Sequence, residues 1–339
     1  MTFRMPPEWA PHERTWMAWP GPNPTFTNDE ELAEARAAWA EVARAVSRFE
    51  PVTVVVGPGQ TEGARELLGA DIDIAEHELD DAWMRDIGPT FVTDGKGGLA
   101  AVDWVFNGWG AQDWARWEHD SKIARHVADL AHVPVHSSDL VNEGGAIHVD
   151  GEGTVLLTDT VQLGAGRNPG WTREQVEAEI HARLGTEKAI WLPHGLTGDY
   201  GMYGTQGHVD IVAAFAAPGV VLVHSQQDPA HPDHERSRTY IEILRGRTDA
   251  RGRALEVVEV PAPTVLKDEE GDWVDYSYIN HYLCNGGVVL CAFDDPNDEV
   301  AAGIFRRLFP DRTVTPVDAR AIFAGGGGIH CITQQQPKV

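Results

Sequence analysis

Asn142-Glu-Gly-Gly-Ala-Ile-His-Val-Asp-Gly151 decides how this chain is read. A polar residue and paired glycines lead into a short apolar stretch, a Gly turn closes it, and a second strand-like run follows. A glycine or polar cluster, a strand and usually a Gly turn also appear in Arg85-Asp-Ile-Gly-Pro-Thr-Phe-Val-Thr-Asp-Gly95, Gly207-His-Val-Asp-Ile-Val-Ala-Ala-Phe215, Tyr278-Ile-Asn-His-Tyr-Leu-Cys-Asn-Gly-Gly287 and Gly326-Gly-Gly-Ile-His-Cys-Ile-Thr333. Asp86, Glu143, His208, Asn280 and Cys331 lead the five segments, separated by 57, 65, 72 and 51 residues. Such periods are too long for a solenoid and suit a unit of several strands plus a helix. Five units around an axis would bring all five strand starts to one central site. Similar Gly-turn hairpins also occur in α/β proteins without a repeat, so the residues at the strand starts must decide.

Between these segments the apolar spacing changes. Leu32, Ala35, Trp39, Val42 and Val46 recur at three- and four-residue steps, which predicts an amphipathic helix over 30–48. Pro51-Val-Thr-Val-Val-Val-Gly57 then reads as a buried strand. Helical patterns return over 121–131, 172–184, 233–245 and 298–309. Strand and helix alternate throughout, the signature of an α/β fold. No linker or long like-charge block divides the 339 residues, so one domain over 1–339 is expected.

Composition narrows the function. A chain of this length with 42% hydrophobic residues and 12 Trp buries a core without metal or disulfide staples. The 52 acidic against 27 basic residues, a net charge of −25, disfavour nucleic acid and anionic membrane as partners. The excess is compatible with a cationic small molecule, although a solvated acidic surface accounts for most of it. The three cysteines, Cys284, Cys291 and Cys331, form no even disulfide framework and no CxxC pair. A reducing compartment follows. With no signal-like apolar run and no stretch near 18 apolar residues, a cytoplasmic protein is expected.

Cys331 is the most informative residue. It follows Gly325-Gly-Gly-Gly-Ile-His330, and four glycines let the backbone bend sharply and approach a ligand closely. A thiol at the edge of such a loop is expected to be accessible, as a nucleophile must be. Cys284 and Cys291 read as small strand residues. In His208-Val-Asp210 a strand would place imidazole and carboxylate on one face. That pair suits a base plus a substrate ligand, two metal ligands, or merely a polar strand end. Gly195-Leu-Thr-Gly-Asp-Tyr-Gly-Met-Tyr-Gly204, just before it, can form a wall or lid. Glu143 stands beside paired glycines. Asp86 follows Trp83 and Arg85; the Arg85-Asp86 pair can equally be an exposed ion pair, and Trp83 can equally be core.

A thiol, an imidazole and three carboxylates thus stand near glycines at equivalent places in the repeat. The imidazole can maintain the thiolate, and one carboxylate can tune the imidazole. Two further carboxylates would repel the oxyanion of ordinary acyl transfer. They suit a planar cationic electrophile, because guanidinium N–H pairs match carboxylates bidentately.

On Met5-Pro-Pro-Glu-Trp9, Trp16-Met-Ala-Trp-Pro20, Trp83–Gly88, Glu143-Gly-Gly145, Gly207-His-Val-Asp210 and Gly326-Gly-Gly-Ile-His-Cys-Ile-Thr-Gln-Gln335, the chain resembles the agmatine deiminase family over nearly its whole length. The resemblance implies the five-bladed α/β propeller of the guanidine-modifying pentein superfamily. It implies Cys331 as nucleophile, His208 as general acid/base, Glu143 as partner of the histidine, and Asp86 and Asp210 as the guanidinium grip. Trp83, Arg85, Asp199, Trp109, Gly326 and Gly327 are candidate substrate contacts, with Asp199, Trp83 and Trp109 near the far amine. No metal or organic cofactor is implied, and a homodimer is. Gly328 stands where the family pattern has Asn, and Gln206 and Ile211 also depart from it. The expected reaction is hydrolysis of agmatine to N-carbamoylputrescine and ammonia through an S-alkylthiouronium. The alternatives are a deiminase or amidinotransferase for another guanidino compound and, outside the family, a metal hydrolase built on His208 and Asp210 or a non-catalytic binder.

Overall fold

Every one of the five repeated segments opens a sheet of its own. The computed structural model describes residues 3–268 and 271–339. Four sheets are consecutive in the chain and share one plan. Thr90–Thr93 pairs antiparallel with Leu99–Val105, which pairs parallel with Val135–Val141. His148–Val149, Thr154–Thr158 and Lys188–Leu192 repeat the order, as do Ala213–Ala217, Val220–Ser225 and Glu256–Pro261. Tyr282–Cys284, Gly287–Ala292 and Thr313–Asp318 complete the four. The remaining sheet joins the ends of the chain. Gln334–Pro337 pairs antiparallel with His12–Ala18, which lies parallel to Val52–Val56, itself parallel to Asp73–Glu76.

A parallel pair needs a crossover, and in each case a helix supplies it. Ile123–Leu130, Arg173–Leu184, Asp233–Arg245 and Asn297–Leu308 bridge the second and third strands of the four consecutive sheets. Asp29–Ser47 and Thr61–Leu68 do so in the fifth. Leu32, Ala35, Trp39, Val42 and Val46 are all buried on the first of these helices, as their spacing predicts. Its start is set by Asn28, whose side chain accepts from the Glu30 and Glu31 amides. Arg173–Leu184 opens with a Thr172/Gln175 capping box and stops at Gly185 in the left-handed region. The fold is therefore mixed α/β, built from several small mixed sheets. Among the described residues no helix is long and apolar enough to cross a membrane.

Candidate active site

A short turn precedes the first strand of each sheet, helical in three of the five, and the chemically distinctive residues sit on those turns. Asp86 lies in Met84–Ile87, Glu143 caps Gly144–Ala146, and His208 caps the turn Val209–Ile211 that holds Asp210. Asn280 and Cys331 stand in turns before Tyr282–Cys284 and Gln334–Pro337. His208-Val-Asp210 is thus not the strand that its alternation predicts. The turn still brings the two side chains together, because one 3₁₀ step changes direction sharply where a strand would run straight.

Gly145 is where they converge. A Cβ built there would lie 2.5 Å from His208 Nδ1 and 3.0 Å from both Asp210 Oδ2 and Asp86 Oδ1. The Gly145 amide donates to Asp86 Oδ1 at 3.0 Å, while the other Asp86 oxygen accepts from Trp109 Nε1 at 2.9 Å. His208 Nε2 lies 3.3 Å from Glu143 Oε2, and His208 Nδ1 lies 3.8 Å from Asp86 Oδ1. Cys331 Sγ stands 3.6 Å from Asp210 Oδ2 and 3.2 Å from the Asn280 side-chain nitrogen. His208 Nδ1 and Asp210 Oδ1 are buried and have no hydrogen-bond partner among the described residues. Gly145→Ala is therefore expected to push His208 and the two aspartates apart and to cut turnover about 100-fold with the fold intact, since displacements near 1 Å cost that much. Steady-state kinetics on the variant check this; wild-type rates would show that the convergence does not matter.

Arg85 and Asp199 sit elsewhere than the sequence reading places them. Arg85 is 2% exposed, so it is no surface ion pair. It donates to the His330 carbonyl and to Gln335, and lies 3.9 Å from Glu8. Trp83 packs edge-on against core Trp39 and borders Gly327. Asp199 spends both carboxylate oxygens on its own loop, accepting from Thr205 N and Oγ1 and from the Gly207 and His208 amides. It shapes the loop that delivers His208, and has no free oxygen for a far amine. Trp109 stacks on Trp114 with its indole N–H on Asp86. Nor is the Cys331 thiol accessible: it is 2% exposed. The bare glycine loop lets the Tyr203 backbone lie directly on Gly326. Gln112 ties that covering loop down by donating to the Gly204 carbonyl at 2.8 Å.

Four buried residues escaped the sequence reading of the site. Arg167 donates from Nε to both Glu143 oxygens, at 2.9 and 3.0 Å, and from Nη2 to the Thr205 carbonyl. His330, beside the thiol, bridges Asp210 (2.7 Å) and Glu8 (2.9 Å) through its two ring nitrogens. Asn280 was visible as a strand-start residue but carried no chemical signal of its own. Glu8 and His330 lay inside recognisable motifs; Arg167, in a plain Gly-rich loop, gave none.

Charge sets the protonation pattern. Burial alone would push the His208 imidazole down, but Asp86, Glu143 and Asp210 outweigh it and raise the pKa to about 9. Burial would raise Glu143, yet Arg167 and His208 hold it below its ordinary value. Asp210 is likewise lowered, against its burial, chiefly by His330. Burial, then the Asp210 and Asp86 charges, push the Cys331 thiol well above the usual range. The cluster therefore combines an imidazolium with a thiol that needs a cation to ionise.

Among the described residues Glu8, His148 and His330 have ligand-type atoms within 4.8 Å of one another. They suit a divalent ion poorly. Both His330 nitrogens face carboxylates, His148 Nδ1 accepts from the Phe215 amide, and the Arg85 guanidinium adjoins Glu8. His208 and Asp210 belong to the hydrogen-bonded cluster around Gly145, and Asp210 Oδ2 is taken by His330.

The family model of Porphyromonas-type peptidyl-arginine deiminases matches residues 4–337. A provisionally named agmatine deiminase of Streptomyces coelicolor is 86% identical, covering 100% of both chains. The agmatine deiminase of Stutzerimonas stutzeri is 42% identical over 99% of this chain and 95% of its own. The solved agmatine deiminase of Enterococcus faecalis superimposes with a TM-score of 0.93 at 36% identity, over 99% of this chain and 96% of that one. With matches that run from end to end, the chain belongs to the Porphyromonas-type peptidyl-arginine deiminase family, in its agmatine deiminase group.

Proposed function

We propose that this chain is a hydrolase of linear amidines that converts agmatine and water to N-carbamoylputrescine and ammonia, with Cys331 as nucleophile. Residues 1–339 act as one domain, a five-bladed propeller whose blade starts meet at the site. One juxtaposition carries the reading: two carboxylates, an imidazolium and a thiol around a glycine, with Asp210 Oδ1 buried and unpartnered. A buried carboxylate oxygen left without a donor, beside a second carboxylate, calls for a ligand that brings N–H donors and positive charge.

Asp86 and Asp210 hold the guanidinium plane. Its charge offsets the carboxylates that keep Cys331 protonated, so binding favours the thiolate. The thiolate forms a bond to the central carbon and yields a neutral tetrahedral adduct. The His208 imidazolium gives its proton to the departing nitrogen, ammonia leaves, and an S-alkylthiouronium cation remains. Neutral His208 then takes a proton from water as the oxygen bonds to the carbon. Collapse breaks the C–S bond, returns the thiolate, and releases the ureido product with the last proton going to ammonia. Glu143, fixed by Arg167, keeps the imidazole charged and oriented.

The test is ammonia release from agmatine, arginine, methylated arginines and shorter guanidino amines and acids, with and without an amine acceptor. Agmatine should be turned over best. Amidino transfer to the amine without ammonia would replace this reading with the transferase, and no turnover of any guanidino compound would end it. Because His208 must be protonated to expel ammonia, kcat/KM, which reports the free enzyme, should fall as pH rises through about 9. A profile flat from well below to well above that value would remove His208 as the acid.

A further inference from the structure

We propose that Asn280 is a catalytic residue: its side-chain amide donates a hydrogen bond to Cys331 Sγ and stabilises the thiolate. This rests on the reading of Cys331 as nucleophile, and adds a donor that the five expected residues do not include.

The amide cannot turn freely. Its Oδ1 accepts from the His330 backbone N–H at 2.9 Å and lies 3.4 Å from that of Cys331. Both are donors, so the oxygen must face them and Nδ2 must face the sulfur, 3.2 Å away. The backbone is held as well: the Asn280 carbonyl accepts from the His330 N–H and from the Cys291 thiol at 3.1 Å. Asn280 is wholly buried. A Cβ at Gly328 would lie 2.5 Å from Asn280 Oδ1, so glycine there leaves the amide its place.

The two side chains that hydrogen-bond to Sγ have opposite characters. Asp210 Oδ2 can only accept, and it favours the thiol. Asn280 meets the sulfur with both ends of its amide: Oδ1, 3.5 Å from Sγ, is already held by the His330 N–H, while Nδ2, nearer at 3.2 Å, can only donate and favours the thiolate. A lysine, arginine or charged histidine is the usual means of holding a thiolate. A cation at this spot would repel a guanidinium and neutralise the aspartates that bind it. A neutral amide lowers the cost of the sulfur anion without that penalty. It also extends the pattern of the fold, since Asn280 leads the one repeat that otherwise brings no chemical group to the site.

The test titrates the thiol without substrate. Alkylation of Cys331 by iodoacetamide is followed across pH by mass spectrometry of its peptide, in the wild type, Asn280→Ala and Asn280→Leu. Leucine keeps the volume, so a shift common to both variants comes from the lost donor and not from a cavity. The alkylation midpoint should rise by about one pH unit, leaving about tenfold less thiolate at a given pH. With agmatine, the variant-to-wild-type ratio of kcat/KM should be about one tenth at neutral pH and climb as pH rises, which a purely structural defect would not do. Superimposable midpoints, or a ratio flat with pH, overturn the proposal. In the intact protein, one ¹⁵N-labelled Asn side-chain amide should shift over the same pH range and stay still in Cys331→Ala; no such amide would equally overturn it, even if the Asn280 variants fail to fold. A wild type that alkylates normally but turns over no guanidino compound defeats the functional reading alone, because the midpoint shift still reports the Asn280–sulfur bond.

Discussion

Cys331→Ala should lower ammonia release from agmatine by about 10⁴-fold or more while agmatine binding stays within a few-fold of wild type. Among the described residues no second thiol adjoins the convergence at Gly145: Cys291 donates to the Asn280 carbonyl, and Cys284 lies in the strand Tyr282–Cys284. The groups assigned to the guanidinium, Asp86 and Asp210, are held by partners that survive the change. Asp86 keeps the Gly145 amide and Trp109; Asp210 keeps His330. Alanine removes one buried sulfur and leaves a small cavity and an unpaired Asn280 N–H, together worth about 1–2 kcal/mol. The fold should therefore persist. Calorimetric titration with agmatine and a coupled ammonia assay on the same preparation give the two numbers. Turnover above about one hundredth of wild type would show that the thiol is not the nucleophile.

Much of the fold was legible because its determinants are local. The 29–47 helix announces itself by spacing, and the five sheets by the repeated glycine or polar cluster before their opening strands. The site was legible for a different reason: Asp86, Glu143, His208, Asp210 and Cys331 are polar residues at strand starts, where side chains rarely need to be apolar. What stayed hidden is pairwise and non-local. Arg167 meets Glu143 across 24 residues and Glu8 meets His330 across 322, and neither pairing leaves a periodicity. Asp199 misled because an acidic residue in a Gly/Tyr loop reads as a ligand group, whereas its carboxylate satisfies four amide and hydroxyl donors of its own loop. The exposed thiol was misjudged because glycines that open a loop to a ligand open it equally to Tyr203. As for the charge of −25, the site would work with a neutral surface: its three carboxylates are buried and answer to Arg167, His208 and His330.

Arg167→Met should be the most damaging change to stability, costing about 3–5 kcal/mol, because it strands a buried anion. Glu143 is fully buried, and both its oxygens accept from Arg167 Nε. Without the guanidinium, Glu143 keeps only His208, which Asp86 also draws on, while His330 is taken by Asp210 and Glu8, and Glu143 should take up a proton. A neutral Glu143 no longer raises the imidazole, so the high-pH limb of kcat/KM should move down from about 9, and turnover at neutral pH should fall about 100-fold. Arg167 Nη2 also ties down the Thr205 carbonyl, and Thr205 Oγ1 accepts from the His208 amide, so the imidazole loses its support as well as its charge partner. Adding Glu143→Gln separates the two losses. The double variant has no stranded anion and should recover most of the stability, since a buried pair replaced as a unit costs far less than one partner removed. It should recover none of the activity, because a glutamine cannot hold His208 charged. Denaturant unfolding of the wild type, both single variants and the double variant supplies the cycle. A single Arg167→Met cost below about 1 kcal/mol, or a double variant no more stable than that single, would mean that Arg167 is not what keeps Glu143 ionised.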